Sequence, residues 1–181
     1  RPAVGVLLNV TDDHLDRYTD FAAYARSKMR LFENQTAQDT AVLNGADPVI
    51  RAQAAVIRSR RLFYNTAEDS ENCAAVSGTA LALRLPGRAA ARLDLAPFRL
   101  RGPHNVENAC AAALAALTAG ASPAGIQQAL ATFAGLPHRI ESVAVAVGVE
   151  YVNESTATHF DAFLRALGCF AQPVVLIMGG L

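Results

Sequence analysis

Residues Val4 to Val10 (VGVLLNV) form an almost unbroken apolar run of strand length, and no other feature narrows the fold as much. A strand that alternates apolar and polar residues can leave one face in water. A strand without that alternation has to be covered on both faces, as in parallel sheets packed between helices. The run passes into Asn9-Val10-Thr11-Asp12-Asp13-His14, a polar cluster at the strand's carboxyl end. Open α/β sheets bind their ligands there.

The rest of the chain is consistent with an α/β class. Asp20 reads as an N-cap, and Phe21, Tyr24, Ala25, Lys28, Met29 and Phe32 follow at helical spacing, predicting a helix to about Glu33. Thr40 to Leu43 predicts a short strand closed by Asn44-Gly45. Between residues 61 and 100 the texture changes. Arg61 to Tyr64, Leu81 to Leu85 and Ala91 to Leu95 lean towards β structure between Asn, Ser, Gly and Pro, and predict a small antiparallel sheet. Gly102-Pro103-His104-Asn105 opens a long Ala-rich helix, Val106 to about Ala119, and Ser122-Pro123 starts another. Gly135-Leu136-Pro137 reads as an interdomain joint. Beyond it come a hairpin (Val143 to Val147, a Gly148 turn, Val149 to Val152), a polar Asn153 to His159 segment, a helix from about Phe160 to Leu167, and a strand from Pro173 to Met178.

Composition excludes several functions. With 52% hydrophobic and 18% charged residues the chain can build a core and is not disordered. Sixteen basic and sixteen acidic side chains cancel, which argues against a basic nucleic-acid grip. Arg51, Arg58, Arg60 and Arg61 are too sparse to make a patch. The uncharged stretch from Asn108 to Pro137 is broken by Gly120-Ala121-Ser122-Pro123 and Gln127-Gln128, short of the roughly 20 apolar residues of a membrane span. No signal-peptide pattern opens the chain, and no membrane partner is expected. Cys73, Cys110 and Cys169 lie far apart without a CxxC pair. This rules out a zinc knuckle, argues against a disulfide framework, and points to a reducing, cytoplasmic setting. We read the cysteines as small apolar fillers. Arg1 in place of Met, and the stop at Met178-Gly179-Gly180-Leu181, lead us to expect a piece of a longer protein.

Several clusters could carry chemistry. Asp12, Asp13, His14 and Asp16 could hold a divalent cation, or be an acidic helix cap with a satisfied imidazole. Asn105 and Asn108, at i and i+3, share a helix face and could read a heteroaromatic ring, or simply cap the helix. Arg139 at the joint could pair with a phosphate, or form a structural ion pair with Glu141. The Asn153 to His159 segment is partly explained by N-capping. Lys28, among apolar neighbours, could snorkel to solvent.

Taken in order, these clusters resemble the Mur ligase family. Asn9-Val10-Thr11-Asp12-Asp13-His14-Leu15-Asp16-Arg17, followed by a helix with a Lys at position 28, is similar to the family's central-domain motif. Gly102-Pro103-His104-Asn105-Val106-Glu107-Asn108-Ala109 is similar to its nucleotide-binding helix start. Phe133-Ala134-Gly135-Leu136-Pro137-His138-Arg139 and the Asn153 to Thr158 segment resemble the branch that adds D-glutamate. The resemblance implies that residues 1–136 are the later part of a P-loop-type central ATPase domain. Residues 137–181 would then begin a Rossmann-like carboxyl-terminal domain. The implied enzyme is an ATP-dependent amide ligase of peptidoglycan synthesis, using Mg2+ and acting as a monomer. It would join D-glutamate to UDP-N-acetylmuramoyl-L-alanine through an acyl phosphate. Alternatives are a ligase of other amino-acid specificity and a non-catalytic nucleotide-binding relative.

By the same resemblance, His14 helps to bind magnesium, and Lys28 is a carbamylated lysine supporting that ion. A carbamate forms only on a neutral amine, so the site must lower the Lys28 pKa or trap the product on the metal. Asn105 and Asn108 contact adenine, Arg139 lies near the phosphates, Glu154 near the ribose, and Thr158 faces the incoming glutamate. The family's phosphate loop and a magnesium-binding Glu precede the part matched here, so the chain alone is not expected to turn over. Glu154 stands where the branch has Asp, Thr156 where it has Lys, and His159 where it has Asn.

Overall fold

The sheet is organised around a strand that is buried throughout. In a computed structural model, which describes residues 1–11, 17–66, 71–157 and 160–179, all five residues of Thr40–Asn44 are buried. This strand, β2, lies between β1 (Val4–Leu7) and β3 (Arg60–Tyr64), both parallel to it, with Val4 opposite Thr40 and Thr40 opposite Arg60. β4 (Cys73–Ser77) continues the parallel run beside β3. β5 (Ala80–Leu83) and β6 (Ala91–Asp94) then add to the same sheet antiparallel. The result is one six-stranded sheet in the order β1-β2-β3-β4-β5-β6. Its class, α/β and mostly parallel, is as expected. The antiparallel strands of residues 61–100 are not a separate sheet, however. Arg60–Tyr64 joins the parallel part, because its alternate residues Leu62 and Tyr64 are buried against partners supplied by β2. The opening strand also stops at Leu7, before Leu8 and Asn9, which are exposed.

Local signals place the helices. Asp20 caps α1 (Phe21–Met29), its carboxylate accepting the Ala23 amide at 2.6 Å, and a 3-10 turn carries the chain on through Phe32. Asp47 does the same for α2 (Pro48–Gln53), with Pro48 at the first helical position. Ala41 and Leu43 of β2 share a core cluster with Leu7, Tyr24, Ala25, Phe32 and Ile50. Strand alternation turns Val42 and Asn44 to the other face, together with Leu62 and Tyr64. α3 (Pro103–Thr118) supplies Cys110 and Leu114 to the core, and burial pushes the Cys110 thiol up to about 12, as suits an inert apolar filler. Ser122 caps α4 (Pro123–Thr132). No helix is long and apolar enough to cross a membrane among the described residues.

Arg1–Phe98 with Glu107–Phe133 make up one compact unit, and Arg99–Val106 with Ala134–Leu181 another. In the second, β7 (Glu141–Ala146) and β8 (Val149–Asn153) form the expected hairpin. Val147 and Gly148 at its turn both have positive φ (51° and 76°), the backbone of a type I′ turn. α5 (Phe160–Leu167) follows. The expected strand from Pro173 to Met178 does not form: the segment is exposed, and no described residue pairs with its backbone.

Within this second unit Arg101 grips Glu150 of β8 through two hydrogen bonds of 2.8 and 2.7 Å. The guanidinium holds the Glu150 carboxyl below the usual carboxylate range. A depressed carboxylate stabilises above its unfolded pKa, and that contribution is lost as pH falls through the folded value. Glu150→Gln is therefore expected to lower stability slightly at neutral pH, where the carboxylate is ionised, to converge with wild type as pH falls below about 4, and so to flatten the acid limb between. Denaturant titration across pH checks this.

Candidate functional site

The carboxyl ends of the parallel strands, where the polar cluster after β1 begins, are tied together by buried polar groups. The Leu8 carbonyl accepts both the Asn44 side-chain amide (3.0 Å) and the Tyr64 hydroxyl (2.8 Å). Two residues on, the Val10 amide donates to Asp47 at 2.8 Å, while the other Asp47 oxygen caps α2 at Val49 and Ile50. Burial, with Glu107 and Asp47 adding, raises the Tyr64 pKa well above the ordinary phenol value, so its hydroxyl stays a donor at any physiological pH. Asp12, Asp13, His14 and Asp16, the cation-binding candidates, lie outside the described residues. So do Thr158 and His159.

Lys28 lies on α1, the helix that follows that cluster. It is exposed, and its ammonium sits 5.2 Å from the centre of the buried Tyr24 ring. Tyr18 meets the same ring edge-on at 5.3 Å. This cation–π contact is the packing Lys28 makes among the described residues.

At the start of α3, Gly102 has φ +89°, and a Cβ there would collide with Cys169 and His104, so the turn requires glycine. Asn105 is buried and donates its side-chain amide to the Arg101 carbonyl at 2.6 Å. The capping alternative thus accounts for part of this side chain. Asn108, three residues on, is half-buried on the same helix.

The joint carries the remaining candidates. Gly135, His138 and Ile140 all have positive φ (98°, 65° and 47°), the last costly for a β-branched residue. Carboxylates hold this backbone in place: Glu141 accepts the His138 amide at 2.7 Å and Glu154 accepts the Ile140 amide at 2.9 Å. The other Glu154 oxygen takes the Thr156 hydroxyl at 2.6 Å. Two departures from the branch pattern, Glu154 and Thr156, are thus bonded to each other. Glu154 meets the residue after Arg139. The Arg139 guanidinium is exposed and has no ion-pair partner among the described residues, so the structural pair with Glu141 does not form.

Comparison with known proteins accounts for the order of these elements. The sequence profile of the Mur ligase middle domain matches residues 1–116. The chain belongs to the Mur ligase family. A UDP-N-acetylmuramoylalanine–D-glutamate ligase of Desulfosudis oleivorans is 47% identical over 180 residues, covering 99% of this chain and 39% of that protein. The chain therefore spans about two fifths of the length of the curated relatives it matches. Among solved structures, MurF from Acinetobacter baumannii superposes with a TM-score of 0.71 at 20% identity, over 96% of this chain and 38% of that one. MurF ligase from Thermotoga maritima, solved in complex with ADP, gives 0.64 at 19% identity, over 93% and 39%. At those identities the likeness concerns the fold.

In this Mur ligase chain the bonds at the strand ends come from residues that no sequence motif marks: Asn44 reads only as the close of a strand, and Asp47 and Tyr64 carry no site signal. Asp47-Pro48 is a readable helix start, but nothing local announces its bond to Val10. No group of three His, Cys, Asp or Glu side chains that could hold a metal occurs among the described residues.

Proposed function

We propose that this chain is the nucleotide-handling portion of an ATP-dependent ligase that joins D-glutamate to UDP-N-acetylmuramoyl-L-alanine in peptidoglycan synthesis. The observation that carries this is the 47% identity, along 99% of the chain, to a protein named for that reaction. Residues 1–136 belong to the central ATPase domain and 137–181 begin the carboxyl-terminal one. The enzyme acts in the cytoplasm as a monomer. ATP phosphorylates the substrate carboxylate, releasing ADP; the D-glutamate amine attacks the acyl carbon, and phosphate leaves.

The residues support distinct parts of this. Arg139, exposed and without an ion-pair partner among the described residues, is available to a phosphate. Asn105 and Asn108 offer amides to adenine from the first turns of α3. Glu154 would exchange the Thr156 hydroxyl for those of ribose. Thr158 faces the incoming glutamate. The carboxylates and imidazole of Asp12, Asp13, His14 and Asp16 suit a divalent cation, with His14 and a carbamylated Lys28 as its proposed holders. Magnesium, when bound, neutralises phosphate charge in the transfer. Because Lys28 is exposed, its carbamate would be retained by that ion rather than by burial.

The test is phosphate release by the full-length protein given UDP-N-acetylmuramoyl-L-alanine, ATP, magnesium and each of a panel of amino acids. Release with D-glutamate alone is expected; release with another amino acid only, or none, overturns the specificity or the activity. Thr156 favours a second reading, a nucleotide-binding relative without catalysis, since the branch places a cation there. Thr156→Lys is expected to raise turnover by about tenfold or more, as one placed cation contributes several kcal/mol in a transition state. ADP binding without turnover in either form would establish the non-catalytic reading.

A further inference from the structure

Arg139 stands between two residues in a backbone conformation that L side chains rarely adopt. His138 has φ 65° and Ile140 has φ 47°, and the second is β-branched. His138 and Arg139 are exposed and Ile140 is only half-buried, so core packing does not explain this conformation. Polar groups hold it instead. Glu141 accepts the His138 amide at 2.7 Å, and Glu154 accepts the Ile140 amide at 2.9 Å. The His138 carbonyl accepts the Ser155 amide at 3.1 Å, and the Asn153 side-chain amide lies 2.9 Å from His138 Nδ1. The Arg139 amide itself closes on the Leu136 carbonyl at 3.3 Å. The backbone is thus fastened on both sides of Arg139. Its guanidinium is exposed, and among the described residues neither Glu141 nor Glu154 pairs with it. Strain of this kind persists only where surrounding groups over-determine it, and it gathers at ligand clamps.

We propose that Glu141 is a positioning residue for Arg139, and that Glu154 shares the task through the oxygen that holds Ile140. Together they fix the direction in which the Arg139 side chain leaves the backbone. The guanidinium then meets a nucleotide phosphate without first having to be ordered, which lowers the cost of binding. This rests on the ligase reading in giving Arg139 a phosphate. Glu141 touches no ligand, since its effect passes through the His138 amide. The second Glu154 oxygen, on Thr156, stays available to the ribose. What Glu141 contributes is therefore felt at the phosphates, through Arg139, and not at the base.

Equilibrium binding of ADP and of adenosine to the full-length protein tests this. Arg139→Ala should weaken ADP binding by about tenfold or more, as a charge-assisted bond is lost, and leave adenosine unchanged. Glu141→Ala should weaken ADP about fivefold, the scale of ordering one rotamer-rich side chain, again without effect on adenosine. Added to Arg139→Ala it should weaken ADP no further, because the side chain it positions is gone. Glu141→Gln keeps an oxygen for the His138 amide and should hold ADP affinity within about twofold of wild type. A fall in adenosine affinity, or an ADP loss of equal size with and without Arg139, would make Glu141 a structural residue only and overturn the proposal. So would wild-type ADP affinity in either alanine variant. Tighter ADP binding by Glu141→Gln would mean that the carboxylate faces the phosphates and repels them, which overturns it too. If the coupling appears but wild-type protein releases no phosphate with any amino acid, the ligase reading fails and the positioning role stands. Turnover with D-glutamate but no coupling keeps the reading and removes the proposal.

Discussion

On the proposed ligase reading, replacing Lys28 by alanine in the full-length protein should lower turnover by about 10²–10³-fold, the cost of losing one fixed charge at a phosphoryl-transfer centre. Stability should move by no more than about 0.5 kcal/mol, because the side chain is exposed and its main described contact is with the Tyr24 ring. That separation makes the variant informative: activity collapses in a protein that melts normally. Lys28→Arg then distinguishes two roles. An arginine can keep a cation over Tyr24, yet its guanidinium stays protonated and cannot become a carbamate. Loss equal to that of alanine would mean that the amine is needed for its chemistry, whereas an active arginine variant would reduce Lys28 to a positive charge. Steady-state kinetics with a melting curve on each variant decide the matter.

Leu114→Ala should produce the largest loss of stability, about 3–4 kcal/mol. Leu114 is fully buried on α3, so truncation removes apolar area from water and leaves a cavity that the surrounding core cannot easily close. At this chain length the change corresponds to roughly 10 °C in melting temperature. Val56→Ala, at a position 78% exposed, removes similar atoms and should cost nearly nothing. Thermal unfolding followed by circular dichroism would separate the two. A Leu114→Ala loss below 1 kcal/mol would mean that α3 is loosely packed. On the proposed reading, in which Asn105 and Asn108 of α3 contact adenine, nucleotide affinity should fall with it.

Features settled by local chemistry were readable in the sequence. Asp20, Ser122-Pro123 and the alanine-rich run after Gly102 each announce a helix through groups that bond within a turn, and the helices begin there. The two-residue turn at Val147-Gly148 is local in the same way. Strands fared worse, because a strand exists only if something pairs with it. Cys73–Ser77 is short and built mostly of small residues, so it gives no periodic signal, yet β3 and β5 recruit it. Pro173 to Met178 has the stronger β composition and remains unpaired. The candidate site divides along the same line. Lys28, Asn105 and Glu154 were marked by motif, and their neighbours explain what holds them. Asn44, Asp47 and Tyr64 act on Leu8 and Val10, far away along the chain, and no window of sequence can show such a bond.

The sheet order has a consequence in time as well as in space. Val4 has to find Thr40, and Thr40 has to find Arg60, before either pairing returns any stabilisation, so loop closure comes first and the parallel strands assemble late. Glu141 and Asn153, joined through a tight turn, can meet within about 1–10 μs. A chain leaving denaturant would therefore form its hairpin first. The corner that gathers Leu8, Asn44 and Tyr64, which closes only after three strands have met, would be among the last parts to form.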